Sequence, residues 1–235
     1  MSAALSRLYA ILDIDTLDAR GLDPLATAAA WLDAGIRLVQ LRAKSWSFGP
    51  TLDLADRLVR LASASGARIV INDRADVARL SGAAGVHVGQ DDLGPADARA
   101  ITGPDALVGV STHTLAQLEQ ALAAPVSYVA FGPVFPTRSK AHPDPVVGLE
   151  GVAAARRLSA PAGVPLVAIG GITRARAPAV LAAGASSVAV IADLVGHDPA
   201  ARARAWVAAV RTPAARPSSG DPPRTRGRPG RSSRP

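Results

Sequence analysis

The chain has 235 residues, of which 49% are hydrophobic and 19% are charged, and its formal net charge is +7. This composition is typical of a soluble globular protein, and the length suits one domain with a large buried core. The chain has no cysteine, which excludes disulfides and thiolate metal sites. The sequence shows neither a signal-peptide pattern nor an apolar run long enough to span a membrane, so we expect a cytoplasmic protein without membrane contact.

The positive charge is concentrated in the C-terminal segment. Residues 212–235 contain six Arg and one Asp, and their charge of +5 leaves only +2 of the total for residues 1–211. This segment is rich in Pro, Gly, Ser and Arg and nearly lacks apolar residues, so it cannot bury enough surface to offset its ordering entropy. We therefore predict a folded domain over 1–211 and a disordered tail over 212–235. A solvated tail is preferred to one that binds nucleic acid, and the sequence leaves the oligomeric state open.

Short β-rich runs alternate with Ala-rich helical runs along the predicted domain. The predicted strands are Leu8–Asp13, Ile36–Arg42, Arg68–Asn72, Gly85–Val88, Leu107–Val110, Ser127–Phe131, Pro165–Ile169 and Ser187–Ile191. The predicted helices are Leu25–Ala34, Leu52–Ala64, Leu115–Ala123, Leu149–Leu158, Ala179–Ala183 and Ala200–Val210, with weaker helical segments after Asn72 and after Pro95. This alternation indicates βαβ units and a parallel sheet, and eight strands can close a single (β/α)8 TIM barrel. An open doubly wound sheet stays an alternative, although no glycine-rich dinucleotide loop follows the first strand.

The second predicted strand ends in polar side chains. Because successive side chains of a strand point to opposite faces, one face carries Ile36, Leu38, Gln40, Arg42 and Lys44. This face begins apolar and ends in an amide, a guanidinium and an ammonium group. It predicts a positively charged rim where the strand leaves the barrel, and its ammonium belongs to one of only two lysines in the chain.

Carboxylates follow the third and fourth predicted strands, in Ile69–Asp73 and Gly85–Asp92. Two carboxylates from neighbouring loops can share a Mg²⁺ ion with the phosphates of a substrate. Taken alone, Asp73 could instead cap a helix and Asp91 could stabilise a turn. Next to the positive rim, a magnesium–diphosphate site is the preferred interpretation. His87 lies between two apolar residues, so we expect a hydrogen-bonded interior histidine rather than a ligand or a base.

Three later loops indicate phosphate binding. Gly132–Lys140 follows the sixth strand and combines hydroxyl groups at alternate positions with the second lysine, which suits an oxyanion-binding lid. Gly170-Gly171 follows the seventh strand, and Val190–Asp193 ends the eighth. In TIM barrels the loops after the last two strands form a recurrent phosphate site, where glycine lets the backbone approach the anion.

Six motifs in this order make the chain resemble the thiamine-phosphate synthase family from Tyr9 to about Val195. The motifs are Gln40–Lys44, Asn72-Asp73, Gly89–Asp92, Gly109–Ser111, Gly132–Lys140 and Ile169–Ile172. The family joins 4-amino-5-hydroxymethyl-2-methylpyrimidine diphosphate to a thiazole phosphate, releases pyrophosphate and forms thiamine phosphate. The resemblance therefore implies a transferase with these two small-molecule substrates and with Mg²⁺ as its cofactor.

The resemblance also assigns residues to each ligand. The implied contacts to the pyrimidine diphosphate are Gln40, Leu41, Arg42, Ala43, Lys44, Asn72, Ser111 and Lys140. The implied contacts to the thiazole phosphate are Thr137, Arg138, Ser139, Gly171, Ile191 and Ala192. Asp73 and Asp92 would bind Mg²⁺, and the catalytic groups would be Arg42, Lys44, Ser111 and Lys140. The chain departs from the family pattern at Ala192, commonly Ser, at Asp193, commonly a small residue, and at Pro178, which falls in the helix that follows Gly171 in that pattern.

The residue types suit the implied reaction, because negative charge develops on the departing diphosphate and a metal ion with nearby cations can neutralise it. The thiazole nitrogen is a neutral nucleophile that needs only to be positioned, so no general base is required. Two other functions stay open. One is a metal-independent thiazole tautomerase, against which the pair Asp73 and Asp92 argues. The other is a non-catalytic phosphate-binding barrel with a nucleic-acid-binding tail.

Overall fold

Eight parallel strands form a closed barrel in the computed structural model, which describes residues 5–137 and 144–211. The strands are β1 Leu8–Asp13, β2 Leu38–Arg42, β3 Arg68–Asn72, β4 Gly85–Val88, β5 Leu107–Thr112, β6 Tyr128–Phe131, β7 Leu166–Ile169 and β8 Ser187–Val190. Each strand pairs with the next in the chain, and β8 pairs with β1. The predicted TIM barrel is therefore confirmed and the open sheet is excluded. The predicted tail lies outside the described residues.

Helices connect the strands and cover the outside of the barrel. They are α1 Ile14–Asp18, α2 Pro24–Asp33, α3 Phe48–Ser63, α4 Ala75–Ser81, α5 Pro95–Thr102, α6 Leu115–Leu122, α7 Gly148–Ser159, α8 Ala177–Ala182 and α9 Pro199–Arg211. All eight predicted helical segments are present, with shifted ends. The short α1 was not predicted, because five residues are too few to show a helical period. Among the described residues no helix is long and apolar enough to cross a membrane.

Local sequence signals explain where several helices begin. Asp23 accepts a hydrogen bond from the amide of Ala26 at 2.7 Å, and Pro24 occupies the first turn of α2. Thr114 and Gln117 form a reciprocal capping box at the start of α6. Pro178 also lies in a first turn, because α8 begins at Ala177 rather than further upstream. Its missing N–H therefore breaks no helical hydrogen bond, and the departure at this position is tolerated.

Two apolar layers lie on opposite sides of the sheet. The outer layer packs the strands against the helices and contains two of the three tryptophans, Trp31 and Trp206. The inner layer fills the barrel, and its buried members are Tyr9, Ile11, Leu38, Val70, Tyr128, Ala130, Val167 and Ala189. Alternation along each strand separates these layers, since consecutive side chains face opposite sides.

The placement of Ile36 inside the barrel was wrong. Ile36 is buried in the outer layer, whereas Leu38 lies in the inner layer as expected. The reason is that β2 begins only at Leu38, so the two-residue period does not extend back to Ile36. The amide of Ile36 instead donates to the carbonyl of Trp31 at 3.0 Å and closes the C-terminal end of α2.

Gly109 makes room for the ring of Tyr128 on the neighbouring strand. The residues Gly109 and Tyr128 are register partners in β5 and β6, and a Cβ atom at Gly109 would overlap the phenol ring. Tyr128 is completely buried, so its ring has no space into which it can retreat.

We expect Gly109→Ala to lower the free energy of unfolding by about 1–3 kcal/mol, because it overpacks the interior of the barrel. Denaturant titration measures this change. Gly49→Ala is the matched control: Gly49 lies in α3 and a Cβ atom there meets no atom within 4 Å. The control should be neutral or stabilising by up to about 1 kcal/mol. Equal stabilities of the two variants would contradict the interpretation.

Candidate active site at the C-terminal mouth of the barrel

A cavity of about 840 Å³ opens where the strands end. All eight strands or the loops after them contribute to its wall. This is the end of a TIM barrel at which ligands bind, because the loops after the strands converge there.

The structure brings most of the predicted site residues to this cavity. Those that line it are Gln40, Arg42, Lys44, Asn72, Asp73, Asp92, Ser111, Thr137, Gly171, Ile191 and Ala192. Leu41 and Ala43 pack in the outer layer instead, and neither lines the cavity. Alternation along β2 accounts for this, since the side chains between Gln40, Arg42 and Lys44 face the helices. Arg138, Ser139 and Lys140 lie outside the described residues.

The cations of β2 are held by carboxylates from the neighbouring strands. Arg42 forms an ion pair with Asp13 of β1, whose carboxylate also accepts a hydrogen bond from the amide of Thr16 at 3.0 Å. Asp13 is 4% exposed, so it is a fixed support for the guanidinium. Lys44 Nζ lies 3.1 Å from Asp73 Oδ2. The rim therefore carries alternating charges rather than a purely positive surface.

Asp73 and Asp92 face each other across the loops that follow β3 and β4. The Asp73 amide donates to the carbonyl of His87 at 2.7 Å, and its backbone adopts a left-handed φ of 63°. Asp92 Oδ2 accepts a hydrogen bond from the amide of Gly89 at 2.7 Å. Burial raises the pKa of the Asp73 carboxyl, a hydrogen bond with Asp92 raises it further, and Lys44 opposes both effects. The N-cap of α4 is Arg74, so Asp73 is not a helix cap.

A chain of hydrogen bonds crosses the barrel at the wall of the cavity. Gln40 Nε2 donates to the Tyr9 hydroxyl at 2.9 Å, and the hydroxyls of Tyr9 and Tyr128 lie 2.8 Å apart. His87 Nδ1 lies 3.0 Å from the Tyr128 hydroxyl, and His87 Nε2 lies 2.9 Å from Ser111 Oγ. The expectation of a hydrogen-bonded interior histidine is confirmed. The chain of bonds connects Gln40 to Ser111, two residues predicted to contact the same ligand.

Sequence analysis did not identify Tyr9, Tyr128 or Asp13 as parts of this site. One signal was available: Tyr9, Ile11 and Asp13 alternate along β1 as Gln40 and its neighbours do along β2. No such signal was available for Tyr128, because its role depends on hydrogen bonds with His87 and Tyr9, which lie on other strands. Only the closed barrel brings these side chains together.

The loops after β6 and β7 lie against each other at the opposite side of the cavity. The amide of Phe135 donates to the carbonyl of Gly170 at 3.0 Å. Gly171 has a φ of 62°, and a Cβ atom there would lie 2.5 Å from the carbonyl oxygen of Pro136. A larger residue would push the two loops apart, so glycine is required for their contact.

Asp193 occupies this side of the cavity, where the resemblance led us to expect a small residue. Its Oδ2 accepts hydrogen bonds from the amide of Arg174 at 3.1 Å and from the indole N–H of Trp206 at 3.0 Å. Both donors stabilise the carboxylate charge. Asp193 therefore ties the β7 and β8 loops to α9.

The fold and the cavity together define a TIM-barrel enzyme that handles phosphorylated ligands. Its open mouth carries cations, a carboxylate pair and a glycine-containing loop after β7, which is the side where such barrels bind phosphate.

Comparisons with known proteins identify the family. The sequence profile described as thiamine monophosphate synthase matches residues 8–194. The chain is 49% identical over 204 residues to a thiamine-phosphate synthase from Koribacter versatilis (strain Ellin345), covering 85% of this chain and 93% of that protein. It is 45% identical over 191 residues to another from Anaeromyxobacter dehalogenans (strain 2CP-C), covering 80% and 84%. The solved thiamine phosphate pyrophosphorylase from Pyrococcus furiosus is 28% identical, with a TM-score of 0.77 over 87% of this chain and 95% of that one. The chain belongs to the thiamine monophosphate synthase family.

The buried hydroxyl pair predicts an unusual response to alkaline pH. Tyr9 and Tyr128 are the only tyrosines in the chain, and burial raises the pKa of each well above its usual value. Above about pH 10 the unfolded chain releases its phenolic protons while the folded chain keeps them, so the free energy of unfolding falls as pH rises. We expect tyrosinate absorbance to appear only together with unfolding, as followed by circular dichroism. The chain in denaturant should titrate near pH 10, and tyrosinate in a chain with native circular dichroism at that pH would contradict this prediction.

Proposed function

We propose that the chain couples 4-amino-5-hydroxymethyl-2-methylpyrimidine diphosphate to a thiazole phosphate, which releases pyrophosphate and forms thiamine phosphate. The observation that carries this proposal is the convergence of Arg42, Lys44, Asp73 and Asp92 on one cavity with Gln40 and Ser111. Charged groups that can bind a diphosphate thus lie beside uncharged hydrogen-bonding groups that can recognise a heterocycle. The names and high coverage of the curated relatives support the same activity.

The carboxylate pair fits a magnesium ion. Within residues 5–137 and 144–211 no cluster of three or more His, Cys, Asp or Glu is placed to hold a metal. Mg²⁺ in phosphate-transfer sites commonly uses one or two carboxylates and completes its shell with phosphate oxygens and water. Burial raises the pKa of Asp73 most, and Asp92 raises it further, so a divalent cation beside both carboxylates would favour their charged forms. When bound, the ion would be held by Asp73 and Asp92 and would stabilise the negative charge that develops on the diphosphate.

Arg42 and Lys44 would stabilise the leaving diphosphate. Loss of diphosphate from the benzylic-type carbon leaves a stabilised pyrimidine cation, so the charge on the departing group is the main problem for catalysis. Arg42 is oriented by its ion pair with the buried Asp13, so little reorganisation is required during the reaction. Lys140, the other lysine, is proposed for the same task from the resemblance alone.

Gln40 and Ser111 would orient the pyrimidine. Both side chains are fixed by the buried hydrogen-bond chain through Tyr9, Tyr128 and His87. Asn72, at the end of β3, lies in the same wall. Both ring nitrogens of His87 take part in hydrogen bonds, which suits a structural role and a reaction that needs no general base.

The thiazole phosphate would bind across the cavity, near Thr137, Gly171, Ile191 and Ala192. In the family pattern the last two contribute backbone N–H groups, and that contact is independent of the side chain at Ala192. Placing the thiazole there puts its ring nitrogen beside the pyrimidine, where the neutral nucleophile needs only to be held in position.

A coupling assay tests the proposed function directly. We expect purified protein to release pyrophosphate only when both heterocycles and Mg²⁺ are present, with thiamine phosphate as the other product. Chelation of the metal should abolish the reaction, and added Mg²⁺ should restore it. Isomerisation of the thiazole that continues in the presence of a chelator would instead show a metal-independent tautomerase.

Asp92→Ala tests the carboxylate pair. We expect kcat to fall on the order of 100-fold, because loss of metal contact removes several kcal/mol of charge stabilisation. The melting temperature should stay near that of the wild type, since Asp92 is exposed at the rim. Asp105→Ala is the matched control, because Asp105 is exposed before β5, at the other end of the barrel. Wild-type kcat in Asp92→Ala would remove the proposed metal role.

A further inference from the structure

A guanidinium lies on the side of the cavity that carries the β7 and β8 loops. Among the described residues that line the cavity, the arginines and lysines are Arg42, Lys44 and Arg176. Arg42 ends β2, Lys44 follows it, and both are paired with carboxylates. Arg176 lies just before α8, on the opposite side.

Two contacts hold the Arg176 side chain in this position. Its Nη1 donates to the carbonyl of Gly171 at 3.1 Å. Its Cζ lies 4.5 Å from the centroid of the Phe135 ring, a cation–π contact that an exposed arginine can maintain. Gly171 belongs to the β7 loop and Phe135 to the β6 loop that leads to Thr137. The guanidinium is thus fixed between the two loops. It has five N–H groups, which is more than the Gly171 carbonyl can accept hydrogen bonds from.

We propose that Arg176 is a further ligand-binding residue, which contacts the phosphate monoester of the thiazole substrate. The identity of this ligand rests on the proposed function, whereas phosphate binding by Arg176 does not. Planar guanidinium groups bind phosphate oxygens in pairs and keep their charge at all relevant pH values.

The charge balance of this side supports the proposal. Asp193 adds a carboxylate where the resemblance led us to expect a small residue, and an anionic phosphate near it needs a compensating cation. The amide of Arg174 and the indole of Trp206 stabilise Asp193 but contribute no positive charge through those contacts. Arg202 donates to the backbone carbonyl of Asp193 at 2.9 Å but does not line the cavity. Arg176, in the β7 loop, contributes a positive charge at the cavity wall itself.

Three variants separate ligand binding from a merely structural contact: Arg176→Gln, Arg176→Lys and Arg174→Gln. Arg174 is an exposed arginine two residues away, does not line the cavity and uses only its backbone amide to hold Asp193, so it matches the charge change. In Arg176→Gln we expect the KM for thiazole phosphate to rise on the order of tenfold. The KM for the pyrimidine diphosphate should not change, and Arg174→Gln should behave like the wild type.

Arg176→Lys keeps the charge but loses the paired N–H groups, so the KM for thiazole phosphate should rise less than in Arg176→Gln. An equal loss in the lysine and glutamine variants would show that the positive charge of residue 176 does not contribute to binding, and would overturn the proposal. So would an equal rise in both KM values of Arg176→Gln. Added salt should raise the KM for thiazole phosphate, because it screens the contact between a cation and the phosphate. This increase should be smaller in Arg176→Gln than in the wild type, because one such contact is missing.

Calorimetric titration with inorganic phosphate tests Arg176 without the reaction. We expect Arg176→Gln to bind phosphate on the order of tenfold more weakly than the wild type and Arg174→Gln. Equal affinities in all three would overturn the proposal even in an active enzyme. A wild-type protein that does not couple the two heterocycles would refute the proposed function, while the phosphate affinities would still decide the role of Arg176.

Discussion

Pairing of β8 with β1 places every functional side chain of this protein. Leu8 and Ala10 pair with Val188 and Val190, which closes the sheet into a ring whose strands all end at the same mouth. In an open sheet the end of β2 and the end of β7 would lie at different distances from a common crevice. Closure instead brings Arg42 and Lys44 on one side and the Gly171 loop on the other to opposite walls of one cavity. The two-substrate reaction depends on this arrangement, since the pyrimidine and the thiazole must meet.

Charge is balanced around this cavity by pairs that join neighbouring elements. Arg42 is paired with Asp13, Lys44 with Asp73, and the Asp193 carboxylate with two N–H donors. These contacts hold ionic groups in fixed positions near the solvent, and such preorganised groups can stabilise charge that develops in a transition state. Beneath them the uncharged chain from Gln40 to Ser111 fixes hydrogen-bonding side chains in a buried environment, where unpaired polar groups would be costly.

Local patterns predicted much of this arrangement. The strand order, the positive end of β2 and the carboxylates after β3 and β4 all follow from strand periodicity and from where apolar runs end. Extending the two-residue period of β2 back to Ile36 failed, because Ile36 precedes the first residue of that strand. The contiguous motif Gln40–Lys44 also does not distinguish the two faces of the strand, and Leu41 and Ala43 pack in the outer layer. Arg176 lacked any local signal, since it lies among other exposed polar residues and matters through Phe135 and Gly171.

The sequence by itself determined the alternation of eight strands with helices, the apolar side of each element and the polar residues at the strand ends. These are properties of short segments, set by side-chain periodicity and by capping residues. Only the tertiary structure decided which other side chains meet: Arg42 with Asp13, Tyr9 with Tyr128 and His87, and Arg176 with Phe135. Such contacts join residues far apart in the chain, and their distances are set by the radius and register of the closed barrel rather than by any single strand.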